Sequence, residues 1–128
     1  MSIHPTAIVD PAAELDPDVR VGPYAIIGAH VMTGVGSVVL QDIPTYVMAA
    51  GNTAAVHGIN SEGLKRRGFT PEEIAIVRRA YRTLYRSNLG LDEARQSLGA
   101  TAAADPVAAR CLTPLLDFLG SVTRGIVR

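Results

Sequence analysis

Histidine is the side chain best placed to move protons near neutral pH, and this 128-residue sequence has three, His4, His30 and His57. No two lie within twenty residues of each other, and only one cysteine, Cys111, is present, so no zinc site of the usual spacing and no internal disulfide is formed. The other chemistry on offer is anion binding. Lys65-Arg66-Arg67 is a basic run, and guanidinium groups pair well with phosphate oxygens. The same run also suits a helix end, where cations favour the C-terminal dipole and face water. Arg78, Arg82 and Arg86 recur at helical spacing beside Tyr81 and Tyr85. Basic and aromatic residues so interleaved are one signature of nucleic-acid binding. A solvated helix face is the better match, and no nucleic-acid partner is expected.

These residues must be positioned by two kinds of element. Read in sixes from Ile3, the first part is IHPTAI, VDPAAE, LDPDVR, VGPYAI, IGAHVM, TGVGSV, VLQDIP. The first position reads Ile3, Val9, Leu15, Val21, Ile27, Thr33, Val39, and the second is mostly Asp or Gly. The fifth is small or β-branched: Ala7, Ala13, Val19, Ala25, Val31, Ser37, Ile43. A hexapeptide repeat of this kind is a signature of a parallel β-helix. Prolines 5, 11, 17 and 23 recur at the same period, as turn residues do, and exclude an amphipathic helix. The period does not set the winding hand. After Pro44 the hexads stop, and "TYVMAAGNTAAVHGIN" reads as a short strand and loops leaving the coil.

From Asn60 the period becomes helical. "NSEGLKRRG" predicts a short helix with Asn60 or Ser61 as N-cap and Gly68 as its stop. "TPEEIAIVRRAYRTLYRS" opens with a capping box, Thr70 and Glu73 around Pro71, and carries the stripe Ile74, Val77, Tyr81, Leu84. A third helix is expected from about Asp92. A fourth is capped by Asp105 and Pro106 and bent at Pro114. The predicted division is 1–59, a truncated hexapeptide β-helix with its exit strand and loop, and 60–128, a helical unit.

Composition agrees with a globular soluble chain: 48% hydrophobic, 19% charged. No window approaches the apolar run a bilayer span needs, and "MSIHPTAIVD" lacks the character of a signal peptide. With a lone cysteine, a reducing cytoplasm is the expected compartment. Net charge is zero, yet residues 1–60 hold five acids against one base and residues 61–128 eleven bases against seven acids. That split suggests two units with different jobs, or attraction between neighbouring chains.

The stretch "GNTAAVHGINSEGLKRRGFTPEEIAIVRRAYRTLYRS", the ending "SVTRGIVR" and the opening "IHPTAIVDPAA" resemble the acyl-[acyl-carrier-protein]–UDP-N-acetylglucosamine O-acyltransferase family. "N-x-E-G-L-K-R-R-G-F", Asn60 to Phe69, is the most specific part. The resemblance implies a left-handed β-helix followed by a helical bundle, assembled as a cytoplasmic homotrimer with active sites between subunits. It implies transfer of a 3-hydroxyacyl group from acyl carrier protein to UDP-N-acetylglucosamine, the first step of lipid A biosynthesis, with no cofactor. It also implies that Asn60, Glu62, Arg66 and Arg67 contact the UDP-sugar, with His57 a secondary contact, and that Met32 and Val35 fall where the family lines its acyl groove. The arginine face near Tyr81 would then suit an acidic carrier protein.

The matches cover about half of the family's chain. "IIGAHV" serves both as the end of the opening coils and as the start of the closing ones, so Ile26–Val39 reads as a seam. Acyl transfer to a hydroxyl needs a base and an oxyanion donor. In the family a histidine-rich "H-x-x-H-D"-like stretch of the middle coils supplies the base, and nothing here corresponds to it. The expectation is therefore no catalytic residue and no activity, with a trimerising or UDP-sugar-binding remnant as the alternative. His30, at the fourth hexad position, is expected to face outward. A β-helical carbonic anhydrase is disfavoured because a three-histidine metal set is missing. Seven hexads make a little over two triangular coils if three form each, so the stub is expected to need the helical unit, a trimer, or both.

Overall fold

A computed structural model describes residues 1–122 and 125–128; Thr123 and Arg124, within the "SVTRGIVR" ending, lie outside the described residues. The hexads fold into two-residue strands separated by tight corners: β1 (Ser2–Ile3), β2 (Ile8–Val9), β3 (Arg20–Val21), β4 (Ile26–Ile27), β5 (Met32–Thr33) and β6 (Val38–Val39). Strands stack in parallel three hexads apart, Ser2 on Arg20, Ile8 on Ile26, Glu14 on Met32, Arg20 on Val38. The first and fifth positions both point inward. Val21, Ile27, Thr33 and Val39 are buried in one set of columns, and Val19, Ala25, Val31 and Ser37 in the other.

The seventh hexad departs from the pattern. Ile43 stacks on Ile27, whereas the repeat had placed it in the fifth column, because the corner at residues 40–42 is two residues shorter than the others. Asp42 makes the short corner workable. Its buried carboxylate accepts the Ile26 N–H at 2.8 Å, where equivalent amides at Ile8 and Arg20 donate to the carbonyls of Ala25 and Ser37.

The coil also runs past Pro44. Instead of leaving as loops, β7 (Val47–Ala50) stacks in parallel on β5 and adds a third level, and Asn52 bridges to Val38. The chain then reverses into β8 (Ala55–Ile59), antiparallel to β7.

Four helices follow: α1 (Ser61–Arg66), α2 (Pro71–Tyr85), α3 (Leu91–Ala104) and α4 (Pro106–Ser121). Asn60 caps α1, the Thr70–Glu73 capping box opens α2, and Asp105 caps α4, which continues through Pro114. Helix α3 starts after Gly90 with no side-chain cap. Leu64, Ile74, Val77, Leu84, Leu98, Leu112, Leu115 and Leu119 form the helical core. Each region lends a residue to the other. Tyr46 of the coil is buried in the helical core, its Oη donating to the Cys111 carbonyl at 2.6 Å. Val127 packs into the coil core, its N–H donating to the Asp42 carbonyl at 2.7 Å. Among the described residues, no helix is long and apolar enough to cross a membrane.

Candidate functional site

The helix α1 is attached to the coil by its cap. Asn60 is buried; its Oδ1 accepts the Gly63 N–H at 3.2 Å and its Nδ2 donates to the His30 carbonyl at 3.1 Å. Gly63 is glycine for a steric reason, since a Cβ there would collide with the Asn60 amide. The opposite wall is a ladder on one coil face. Glu14, Met32 and Met48 occupy successive levels at the same position, so their side chains project as a column toward α1. Between ladder and helix lies a cleft of about 280 Å³. Met32, Met48 and Ile59 give it an apolar floor, while Glu14, Asn60, Glu62 and Arg66 supply polar groups.

The cleft therefore unites four of the seven residues singled out from sequence: Met32, Asn60, Glu62 and Arg66. Glu62 is exposed and pairs with Lys65 at 3.4 Å, whereas Arg66 has no acidic partner among the described residues. Arg67 turns to the first coil. Its Nη2 donates to the Ala12 carbonyl at 3.1 Å and lies 3.7 Å from Glu14 Oε1. His57 is exposed on β8 and Val35 is 85% exposed at a corner; neither lines the cleft.

Under the cap, the rings of His30 and Tyr46 stack at 5.7 Å because they occupy equivalent corners of adjacent levels, both with positive φ. Phe69 closes over them edge-on, 5.4 Å from His30. The expected outward position of His30 is therefore covered by the helical unit, and its Nδ1 is buried without a hydrogen-bond partner. Burial, reinforced by Arg67, holds the imidazole below its ordinary pKa, with Asp10 and Glu14 pulling weakly the other way. His4 is exposed and bonds Thr6 at 2.8 Å. None of the three histidines lines the cleft.

A family model described as "Udp N-acetylglucosamine O-acyltransferase; Domain 2" matches residues 42–127. The chain belongs to this acyltransferase family. Acyl-[acyl-carrier-protein]–UDP-N-acetylglucosamine O-acyltransferases of Janthinobacterium sp. (strain Marseille) and Thiobacillus denitrificans are each 51% identical over 100 residues. Those alignments take in 78% of this chain but only 38% and 37% of the relatives, so the chain spans about two fifths of the curated relatives it matches. The Francisella novicida UDP-N-acetylglucosamine acyltransferase superposes with a TM-score of 0.86 at 36% identity, over 96% of this chain and 44% of that one. The Bacteroides fragilis enzyme gives 0.84 at 34%, over 95% and 46%. Short parallel strands followed by a four-helix region are thus the acyltransferase family's fold, as the hexads and caps led us to expect.

Glu14, Met48 and Ile59 line the cleft without having been singled out from the sequence. The signal for Glu14 was available: residues three hexads apart stack, and Met32 stands three hexads above it. Met48 was hidden by the short corner, which breaks that period. A second cleft, about 590 Å³, is lined by Gly58, Ile59, Arg78, Tyr81, Arg82 and Arg86, so the three arginines do share one face.

Proposed function

We propose that this chain keeps the UDP-sugar-binding part of the acyltransferase site and lacks the part that performs acyl transfer. In this reading Asn60, Glu62, Arg66 and Arg67 take the nucleotide sugar. Arginine guanidinium groups match diphosphate oxygens, and the carboxylate of Glu62 accepts ribose or uracil hydrogen bonds. Asn60 has both ends of its amide engaged by the protein, so it serves as much to hold α1 as to touch ligand. His57 is a secondary contact at the margin, and Met32, with Val35 farther out, borders any acyl chain. The single supporting observation is the convergence of Met32, Asn60, Glu62 and Arg66 on one cleft that no histidine lines.

By lineage the reaction is transfer of a 3-hydroxyacyl group from acyl carrier protein to UDP-N-acetylglucosamine, at the start of lipid A biosynthesis in the cytoplasm. The arginine face on α2 offers an acidic carrier protein a place to approach. Residues 1–59 act as the coil unit and 60–128 as the helical unit. A trimerising remnant is a second reading, favoured by the outward-facing Ile8, Tyr24, Val35 and Leu40, all exposed on the coil. Purified chain, prepared from a host free of background enzyme, is titrated with UDP-N-acetylglucosamine by calorimetry and assayed for acylated product by mass. Binding that weakens about tenfold in Arg66→Ala, with no product, is the expected result, on the scale of a charge-assisted hydrogen-bond loss. Product well above a His30→Ala control sinks the inactive reading, and absence of binding sinks the nucleotide reading. Sedimentation of the same sample tests the trimer.

A further inference from the structure

Arg67, at the end of α1, meets the opening coil at Glu14, a residue that lines the candidate cleft. Glu14 lines the cleft beside Asn60, Glu62 and Arg66, and its Oε1 stands 3.7 Å from Nη2 of Arg67. A carboxylate offers a guanidinium the same kind of acceptor oxygens as a phosphate. Two anions on one guanidinium also repel each other, most strongly where water is partly excluded. We propose that Glu14 is a built-in competitor for the phosphate-bearing part of the ligand, holding Arg67 until a nucleoside diphosphate displaces it. This rests on the nucleotide reading above and adds a residue that the nucleotide motif itself does not contain.

Three observations support the assignment. The side chains of Arg67 and Glu14 are 37% and 41% exposed, and an ion pair so wetted is weak enough to be exchanged for a ligand. Arg67 is held independently by the Ala12 carbonyl at 3.1 Å, so release of Glu14 leaves its guanidinium anchored on the first coil, beside the cleft residue Glu14. The other acid of the cleft, Glu62, is engaged by Lys65, and Arg66 has no acid beside it among the described residues. Competition is thus confined to one arginine of the pair.

The full chain, its Glu14→Gln variant, and both in an Arg67→Ala background are titrated with UDP-N-acetylglucosamine, UDP and uridine at low salt. Glu14→Gln keeps the shape of the side chain and removes its charge. It should bind both diphosphates roughly two- to five-fold more tightly, the scale of one exposed ion pair, with uridine unchanged and the gain absent without Arg67. Equal diphosphate affinity in wild type and Glu14→Gln overturns the inference and leaves the nucleotide reading intact. An equal gain for uridine also overturns it, since Glu14 would then act by bulk rather than charge. No binding to any variant removes the nucleotide reading and the inference with it. In the wild-type chain, carbon NMR of the Glu14 carboxyl provides a measurement free of any folding defect: saturation with UDP should shift it, and an unmoved resonance overturns the proposal.

Discussion

In the coil, Ile3 is 38% exposed on the first level, Val21 is 4% exposed on the second and Val39 is fully covered on the third, although all three occupy the same hexad position. In the helical unit, Leu112, Leu115 and Leu119 are buried together, and each is covered by side chains from other helices. The contrast shows how each region is held. Along the coil each level covers the next, so stability accumulates along one direction and the first level is left half-made. A helical bundle closes on itself, and the loss of one leucine disturbs every helix that touches it.

The largest effects should come where burial is complete. Leu112→Ala and Ile27→Ala should each cost about 2–5 kcal/mol in urea unfolding, because both leave a cavity that the surroundings cannot fill. A markedly smaller loss for Ile27 would mean that the coil relaxes level by level. Next comes Gly28→Ala, about 1–3 kcal/mol, since the new Cβ would stand 2.6 Å from the Thr45 backbone nitrogen on the level above. Removing the hydroxyl cap in Thr70→Ala should cost about 1 kcal/mol, confined to the start of α2 and visible as faster amide exchange there.

At the open end, Ile3→Ala should cost less than about 1 kcal/mol, because the side chain is already 38% exposed and its loss leaves no enclosed cavity. A cost matching Ile27→Ala would show that the first level is covered in solution, as it would be in an oligomer.

The smallest expected effect is a pH dependence at the junction of the two regions. His30 has a folded pKa below its reference value of 6.5, from burial first and Arg67 second, while Asp10 and Glu14 oppose the shift. The neutral imidazole is therefore the form that the fold favours. Its contribution is complete above pH 6.5 and declines as the pH falls through 6.5 toward the lowered folded value. Asparagine tolerates the positive φ at this corner, so His30→Asn should fold and lose that component. The gap between the urea midpoints of wild type and variant should narrow from pH 7.5 to 5.5; a constant gap contradicts the assignment.

Much of the architecture could be read in advance because it is local. Asn60, Thr70 with Glu73, and Asp105 cap their own helices, and a cap needs only its next few residues. The hexads announced the strands for the same reason, each corner being made within six residues. The glycines were only half understood. Gly28 stands at the second hexad position, where Asp also occurs, yet its own requirement is the close approach of Thr45 from the next level. Of the candidate site, the motif from Asn60 to Arg67 was legible as a group. Its splitting, with Arg66 on the cleft and Arg67 turned to Ala12 and Glu14, was not, because adjacent residues on a short helix point in different directions.

The sequence alone determined the six-residue step, the change to helical period at Asn60 and the caps, since each depends on backbone preferences over one turn or corner. Only the tertiary structure decided which residues meet across levels. The two-residue shortening at residues 40–42 brought Tyr46 over His30 and Met48 over Met32, and Asp42 satisfied the amide left by that shift. It also set Glu14 against Arg67, residues far apart in the chain whose contact follows from coil stacking and helix docking together. Such contacts depend on how the levels and the helical unit fit around shared buried surface, a property that no single window of the sequence contains.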